Sequence, residues 1–523
     1  MKKIELFDTT LRDGSQGAGI SFTVDDKLKI ARALDNFGFH YIEGGWPGSN
    51  EKDELFFKEA KKIKFKHAKL VAFASTRHKN HKAYQDASLK AIIGSKVKVA
   101  CIFGKTWDMH VTHALRASLE DNLNMISDSI SFLKSKGLEA IYDAEHFFDG
   151  FKANREYALK TLKAAADAGA ACLALCETNG GMLPNDIREI VQIVARKFPG
   201  MRLGIHTHND SDCAVANSVV AVLEGCSLVQ GTVNGYGERC GNANLCSIIP
   251  ALQLKLGYNC FPKGKLPQLT ELSRYVDEIA NLLPDEQQPY VGRNAFAHKA
   301  GIHVSAVARN SSTYEHMEPS DVGNERRILV SELSGRSNIA FKSGELSLDL
   351  EKDPDNMTKV IEAVKKMENQ GYQFEDADAT FALVARKALG KHKPFFELKS
   401  YHVEVERNSH GEVVSEATIK IDVNGKEEHT VAEGEGPVNA LDGCMRKALA
   451  KFYPEIKEVS LMDFKVRVIN AGAGTAAKVR VFIESKDNQS SWGTVGVSEN
   501  IIEASWKALV DGIEYKLLKK RKK

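Results

Sequence analysis

An excess of charge of either sign is the first thing this sequence lacks. Lys and Arg total 71 against 69 Asp and Glu, which leaves a formal charge of +2 with 16 His neutral. Nothing in that balance points to a nucleic-acid binder. Apolar runs of the roughly 20 residues needed to span a bilayer are also missing. The N-terminus, MKKIELFDTTLRDG, carries two lysines, but a polar strand follows where a signal peptide would have an apolar core. A disulfide framework is not expected either. The nine cysteines, an odd number, are scattered at 101, 172, 176, 213, 226, 240, 246, 260 and 444, which argues for reduced thiols in a cytoplasm. What remains is 43% hydrophobic and 27% charged residues, the balance of a soluble globular protein. A length of 523 residues predicts two to four domains.

The first 260 residues alternate between short β-branched runs and longer amphipathic stretches. Strands are expected at Ile4–Asp8, His40–Gly44, Lys69–Ala74, Val97–Phe103, Ala140–Glu145, Cys172–Cys176, Arg202–His208 and Leu228–Val233. The intervening stretch TVDDKLKIARALDNFG places Leu28, Ala31, Leu34 and Phe37 at three-residue spacing, with Thr23 as N-cap and Gly38 beyond the last turn. Eight strand–helix units in about 250 residues predict an α/β TIM (β/α)8 barrel. A doubly wound open sheet is the alternative, and no Gly-rich dinucleotide turn supports it.

The expected organisation is a barrel catalytic domain over 1–260, a mainly helical linker or lid over 261–373, and a C-terminal α+β regulatory domain over 374–523. The segment NAFAHKAGIHVSAVARNSSTYEHMEP reads as neither a clean helix nor a clean strand, and suits a linker or a lid over the barrel mouth. In the last region two strand-rich pieces are each followed by a helix. Gly436 precedes Lys447-Ala448-Leu449 by the same interval as Gly496 precedes Lys507-Ala508-Leu509, which suggests an internal duplication. A unit of that size exposes an apolar sheet face unless a pseudo-twofold mate or a dimer partner covers it. The final KLLKKRKK reads as a solvated helix end, its cations favourable at the negative end of the helix dipole.

Active sites of such barrels lie at the C-terminal ends of the strands. There the sequence puts Arg12-Asp13-Gly14, Asp143-Ala144-Glu145-His146, Glu177-Thr178-Asn179, His206-Thr207-His208 and Gly237-Glu238-Arg239-Cys240-Gly241-Asn242. His206 and His208, two apart on a strand, point to the same side, here the barrel interior. Two such imidazoles can chelate one ion, with Asp13 as the carboxylate from across the barrel, a set suited to Zn, Mn, Co or ferrous iron. A hydrogen-bonded pair of core histidines is the plainer alternative. Arg12 can aim positive charge at a developing oxyanion, or form a structural ion pair with a rim carboxylate. Glu145 can act as general base, or be satisfied by Arg12 or Arg239. Thr178 can bind a substrate carboxylate or cap a helix. Cys172 and Cys176 read as core.

The runs LRDGSQ (with Lys27 downstream), HTHND, GERCGNANL and GIHVSA (with Tyr314 downstream) resemble the motifs of the 2-isopropylmalate, homocitrate and citramalate synthase family, in that order. The duplicated end resembles that family's amino-acid-sensing domain. FDTTLRDG, IEGGWPGSN and ETNGG are most similar to its citramalate synthase branch. After His208 the likeness departs: Asp212 and Cys213 stand where many members carry glycine and a small apolar residue.

The resemblance implies an acyltransferase that condenses acetyl-CoA with pyruvate and water to (R)-citramalate and CoA, in isoleucine biosynthesis. It implies a divalent metal ion (Zn, Mn, Mg or Co) on Asp13, His206 and His208, with Asn242 as fourth ligand or close neighbour. Arg12 would stabilise the enolate, Glu145 would assist proton transfer, and Thr178 would hold the keto acid's carboxylate. His303 and Tyr314 would help deprotonate the acetyl methyl. It further implies a homodimer and inhibition by isoleucine or leucine. A 2-isopropylmalate synthase acting on 2-ketoisovalerate, a metal-dependent aldolase or lyase, and a non-catalytic sensor are the competing readings.

Overall fold

Eight runs rich in β-branched and apolar residues build the first half of the chain. The computed structural model describes residues 2–262, 264–346, 353–407 and 409–520. Strands β1 (Glu5–Asp8), β2 (Tyr41–Gly45), β3 (Lys69–Ser75), β4 (Val99–Lys105), β5 (Glu139–Glu145), β6 (Cys172–Glu177), β7 (Leu203–Thr207) and β8 (Leu228–Gly231) lie in sequence order in a closed barrel. All pairs are parallel, and closure runs from Glu5 opposite Leu228 to Asp8 opposite Gly231. The expected TIM barrel is therefore present, with strand ends shifted by a residue or two. Its interior packs Phe7, Tyr41, Val71, Cys101, Ile141 and Cys172, so Cys172 is a core residue, as is the buried Cys176.

The helix Val24–Phe37 begins and ends as its sequence directs. Thr23 accepts from the Asp26 N–H, the Asp26 carboxylate accepts from the Thr23 N–H, and Gly38 closes the helix at φ +113°. Ala31, Leu34 and Phe37 are buried as expected, but Leu28 is only half-buried. Lys27, 3% exposed, is buried in its place. Its ammonium donates to the Gly44 carbonyl at 3.1 Å and is paired with Asp53, whose other oxygen accepts from the Trp46 N–H at 2.9 Å. The pair pins the turn that follows β2. Gly45 is required there, because it sits at φ +143° and a Cβ would lie 2.5 Å from the Asp53 carboxylate.

The chain divides into two compact units, Met1–Phe296 with Pro319–Glu325, and Ala297–Glu318 with Arg326–Lys523. In the second, β9 (Ala297–His298) pairs with β10 (Arg327–Ile328). The segment without a clear pattern resolves into β9, a helix over Gly301–Arg309 and a tight turn over Ser311–Thr313.

Two antiparallel sheets follow. One is β11 (Glu397–Arg407), β12 (Val413–Val423) and β13 (Lys426–Gly434). The other is β14 (Ser460–Val468), β15 (Val479–Lys486) and β16 (Ser491–Ser498). Each is followed by a helix, Pro437–Leu449 and Ile501–Lys520. The duplication is real, but its register differs from the glycine spacing. Ile419 pairs with Thr430, whose hydroxyl donates to the Cys444 carbonyl. Ile483 pairs with Thr494, whose hydroxyl donates to the Ala508 carbonyl. Gly436 caps its helix, whereas Gly496 lies inside β16, where a Cβ would meet the Ala504 carbonyl oxygen at 2.0 Å. It is a close-packing glycine, and no helix starts there. The C-terminal basic run also departs from expectation. Lys516 is buried, bridging Glu458 and Asp487 at 2.8 Å each, and Lys519 lies over the Trp492 and Tyr515 rings. Residues 521–523 of that run lie outside the described residues. Among the described residues no helix is long and apolar enough to cross a membrane.

Removing one partner of a buried ion pair leaves the other charge uncompensated. Asp53→Ala is therefore expected to cost about 3–5 kcal/mol of stability, read as a lower midpoint in urea unfolding. Lys27→Met/Asp53→Ala is expected to recover part of the loss. A single variant with an unchanged midpoint would contradict the role given to this pair.

Candidate metal centre and active site

The turn after β1 and the end of β7 bring three groups together at the C-terminal rim. Asp13 opens the short helical turn Gly14–Gln16; His206 lies in β7, and His208 follows its last residue. His206 Nε2 is 3.3 Å from Asp13 Oδ2 and 3.3 Å from His208 Nε2. The ligand atoms all lie within 4.8 Å of one another, and the residues are 3–6% exposed. Among the described residues no other group of three His, Cys, Asp or Glu converges in this way. The strand alternation that aims both imidazoles inward is thus the one the sequence predicts.

Asn242 lies beside them, its backbone bridged to His208. Its amide nitrogen donates to the Tyr236 carbonyl at 3.1 Å, while its Oδ1 is buried without a partner among the described residues. A buried acceptor left unpaired is costly. One carboxylate, two imidazole nitrogens and an orphaned amide oxygen fit a single divalent ion.

The charges around this cluster are finely divided. Burial alone would raise the Asp13 carboxyl, but Arg12 and the two histidines hold it well below the ordinary aspartate range. Burial, with His206 nearby, holds His208 down to about 3, so it is neutral and available as a ligand. Arg12 sits between two carboxylates. Its Nε donates to Glu43 Oε2 at 2.7 Å, its Nη1 is 3.3 Å from Asp13 Oδ2, and its guanidinium lies over the Phe73 ring. Burial pushes Glu43 up to about 7, with Arg12 opposing. Arg12 therefore makes the rim ion pair weighed against its catalytic role, and that pair holds the guanidinium beside Asp13.

The other expected residues separate into two groups. Glu145 is satisfied neither by Arg12 nor by Arg239. It pairs with Lys105 of β4 at 2.5 Å, because the β4–β5 register sets those residues side by side. Arg239 instead binds Asp210 at 2.8 Å and the Thr178 carbonyl at 2.7 Å. Thr178, half-buried after β6, accepts from the His146 N–H at 2.9 Å, which leaves its hydroxyl proton to donate elsewhere. His303 and Tyr314 belong to the second unit, where their rings stack at 4.1 Å.

Two polar residues inside the barrel, Glu43 and Gln230, are missing from the strand-end set, and Asp143 stands in that set without a task assigned to it. Glu43, Asp143 and Gln230 lie two residues beyond Tyr41, Ile141 and Leu228, on the same face of β2, β5 and β8. The signal was in the sequence as a polar residue on an inward, period-two position.

Residues 3–276 match the HMGL-like family, 290–372 the homocitrate synthase post-HMGL domain, and 375–517 the LeuA allosteric (dimerisation) domain. The (R)-citramalate synthase of Geobacter sulfurreducens is 57% identical over 99% of this chain and 98% of its own. The chain belongs to the (R)-citramalate synthase family. It is similar at 53% identity to the Aquifex aeolicus member, over 99% of this chain and 98% of that one. It is similar at 51% to the Synechocystis member, over 98% and 96%. The chain is an enzyme of this family, and the Asp13–His206–His208 cluster belongs to its HMGL-like barrel.

Removing one of three ligands costs more than the 10–100-fold typical of an outer contact, so Asp13→Asn is expected to weaken divalent-ion binding by more than about 100-fold. Elemental analysis after dialysis of the ion-loaded protein checks this. Full occupancy in the variant would rule out Asp13 as a ligand.

Proposed function

We propose that this chain condenses acetyl-CoA with pyruvate and water, forming (R)-citramalate and CoA, and that it does so in isoleucine biosynthesis. The observation that carries the reading is the buried convergence of Arg12, Asp13, His206 and His208 in a member of this family. A divalent ion (Zn, Mn, Mg or Co) held by Asp13, His206 and His208, with Asn242 beside them, supplies Lewis-acid polarisation of the keto acid.

The chain's own residues then have distinct tasks. The Thr178 hydroxyl donates to the keto acid's carboxylate. His303, with Tyr314 stacked on it, takes a proton from the acetyl methyl group. A thioester methyl is a very weak acid, so the enolate must be stabilised as it forms. Arg12 is held rigid by Glu43 and stacked on Phe73, so it presents its charge without reorganisation. The enolate carbon bonds to the keto carbon. Glu145 assists proton transfer to the alkoxide, and water then cleaves the thioester and releases the CoA thiol. Arg12, Glu145, His303 and Tyr314 are thus the proposed catalytic residues.

We assign 374–523 to sensing an end-product amino acid, isoleucine or leucine, in keeping with the LeuA allosteric (dimerisation) match. Val405 on β11 and Leu461, Met462, Val466 and Val468 on β14 are exposed apolar residues that suit burial in a homodimer. We place the enzyme in the cytoplasm, a location supported by nine unpaired thiols, most of them buried.

Thiol release from acetyl-CoA, measured against a panel of keto acids with ion-loaded protein, is expected to be fastest with pyruvate. A tenfold preference for 2-ketoisovalerate would make the chain a 2-isopropylmalate synthase, and cleavage of a hydroxy acid without CoA would make it a lyase. Isoleucine or leucine is expected to weaken substrate binding by roughly 5–150-fold, the range of typical allosteric coupling. Superimposable saturation curves with and without both amino acids would refute the sensing role.

A further inference from the structure

His206 touches a second polar group on its far side. Its Nδ1 lies 3.0 Å from Gln230 Oε1, and Gln230 Nε2 donates to Asp143 Oδ1 at 2.8 Å. The three residues come from β7, β8 and β5, and none is more than 5% exposed. His206 and Gln230 are register partners across β7 and β8, whereas Asp143 reaches Gln230 across the barrel interior.

An amide has one donating and one accepting end, and the end that faces an imidazole decides the tautomer. With the Gln230 oxygen facing His206, the imidazole must carry its proton on Nδ1. The Nε2 lone pair then points at Asp13 and His208. With the amide reversed, Nδ1 would have to accept, and the proton on Nε2 would block the ligand position. Asp143 makes that choice. Its Oδ1 takes the amide N–H2, so the oxygen is left for His206. Among the described residues His208 has no such partner: its Nδ1 is buried without a hydrogen bond. His206 is therefore the oriented ligand of the pair.

We propose that Gln230, oriented by Asp143, is a positioning residue that holds His206 in its Nδ1–H tautomer, so that Nε2 faces the ion. The proposal rests on the metal-centre reading of Asp13, His206 and His208, and deepens it. An outer contact of this kind is worth about 10–100-fold in metal affinity.

The test uses the full chain with Co2+, following its visible absorption and its affinity by chelator competition, with unfolding curves as a check on folding. Gln230→Leu is expected to weaken Co2+ binding about 10–100-fold and to change the spectrum. Asp143→Asn, which frees the amide to turn over, is expected to weaken it too. The double variant Asp143→Asn/Gln230→Glu exchanges donor and acceptor, and restores an oxygen facing His206. It is expected to bind Co2+ more tightly than either single variant and to regain the parent spectrum. Unchanged affinity and spectrum in Gln230→Leu would overturn the proposal, as would a double variant no better than the weaker single. If Gln230→Leu fails to fold, the near-isosteric Asp143→Asn and the double variant decide. A parent protein that takes up no Co2+ would instead sink the metal-centre reading itself.

Discussion

Burial of negative charge is the constraint on which this barrel turns. Asp8, Asp13, Glu43 and Asp143 are all buried, and Arg12 is the guanidinium that pairs directly with two of them. Removing a carboxylate from water is expensive unless a cation or several hydrogen bonds compensate. The structure meets that cost unevenly. Asp13 stays ionised beside Arg12 and the histidines, whereas burial pushes Asp8 and Glu43 up to about 7. A site so rich in acceptors and so poor in cations is chemically prepared for a divalent ion.

The same constraint explains why Arg12 is held rigid. The Glu43 contact and the Phe73 ring remove its freedom. A guanidinium that needs no reorganisation is worth more to a developing oxyanion than a mobile one. Strand β2 carries Glu43, and the turn that follows it is anchored by Lys27 and Asp53 on the helices that flank it. A lysine downstream of an early motif therefore acts through the backbone at the C-terminal end of a neighbouring strand.

Much of the fold was legible because it follows from local patterns. Strand periodicity, the Thr23 cap and Gly38 are readable within a few residues, and all of them appear in the structure. The convergence of Asp13, His206 and His208 was legible because alternate residues of a strand share a face and strand ends share a rim. The duplication was visible too, but its register was not. Gly496 answers to helix packing, a requirement that no spacing rule records. The partner of Glu145 was misread for a similar reason: Lys105 stands beside it only through the β4–β5 register.

The sequence by itself determined which residues face inward and which motifs reach the barrel rim, because the strand period is a property of neighbouring residues. Only the tertiary structure decided who pairs with whom: Lys27 with Asp53, Arg12 with Glu43, Gln230 with both His206 and Asp143. Those partners lie tens of residues apart along the chain. They meet because barrel closure fixes strand order, register and tilt together, and a buried polar group then takes the partner that the geometry supplies.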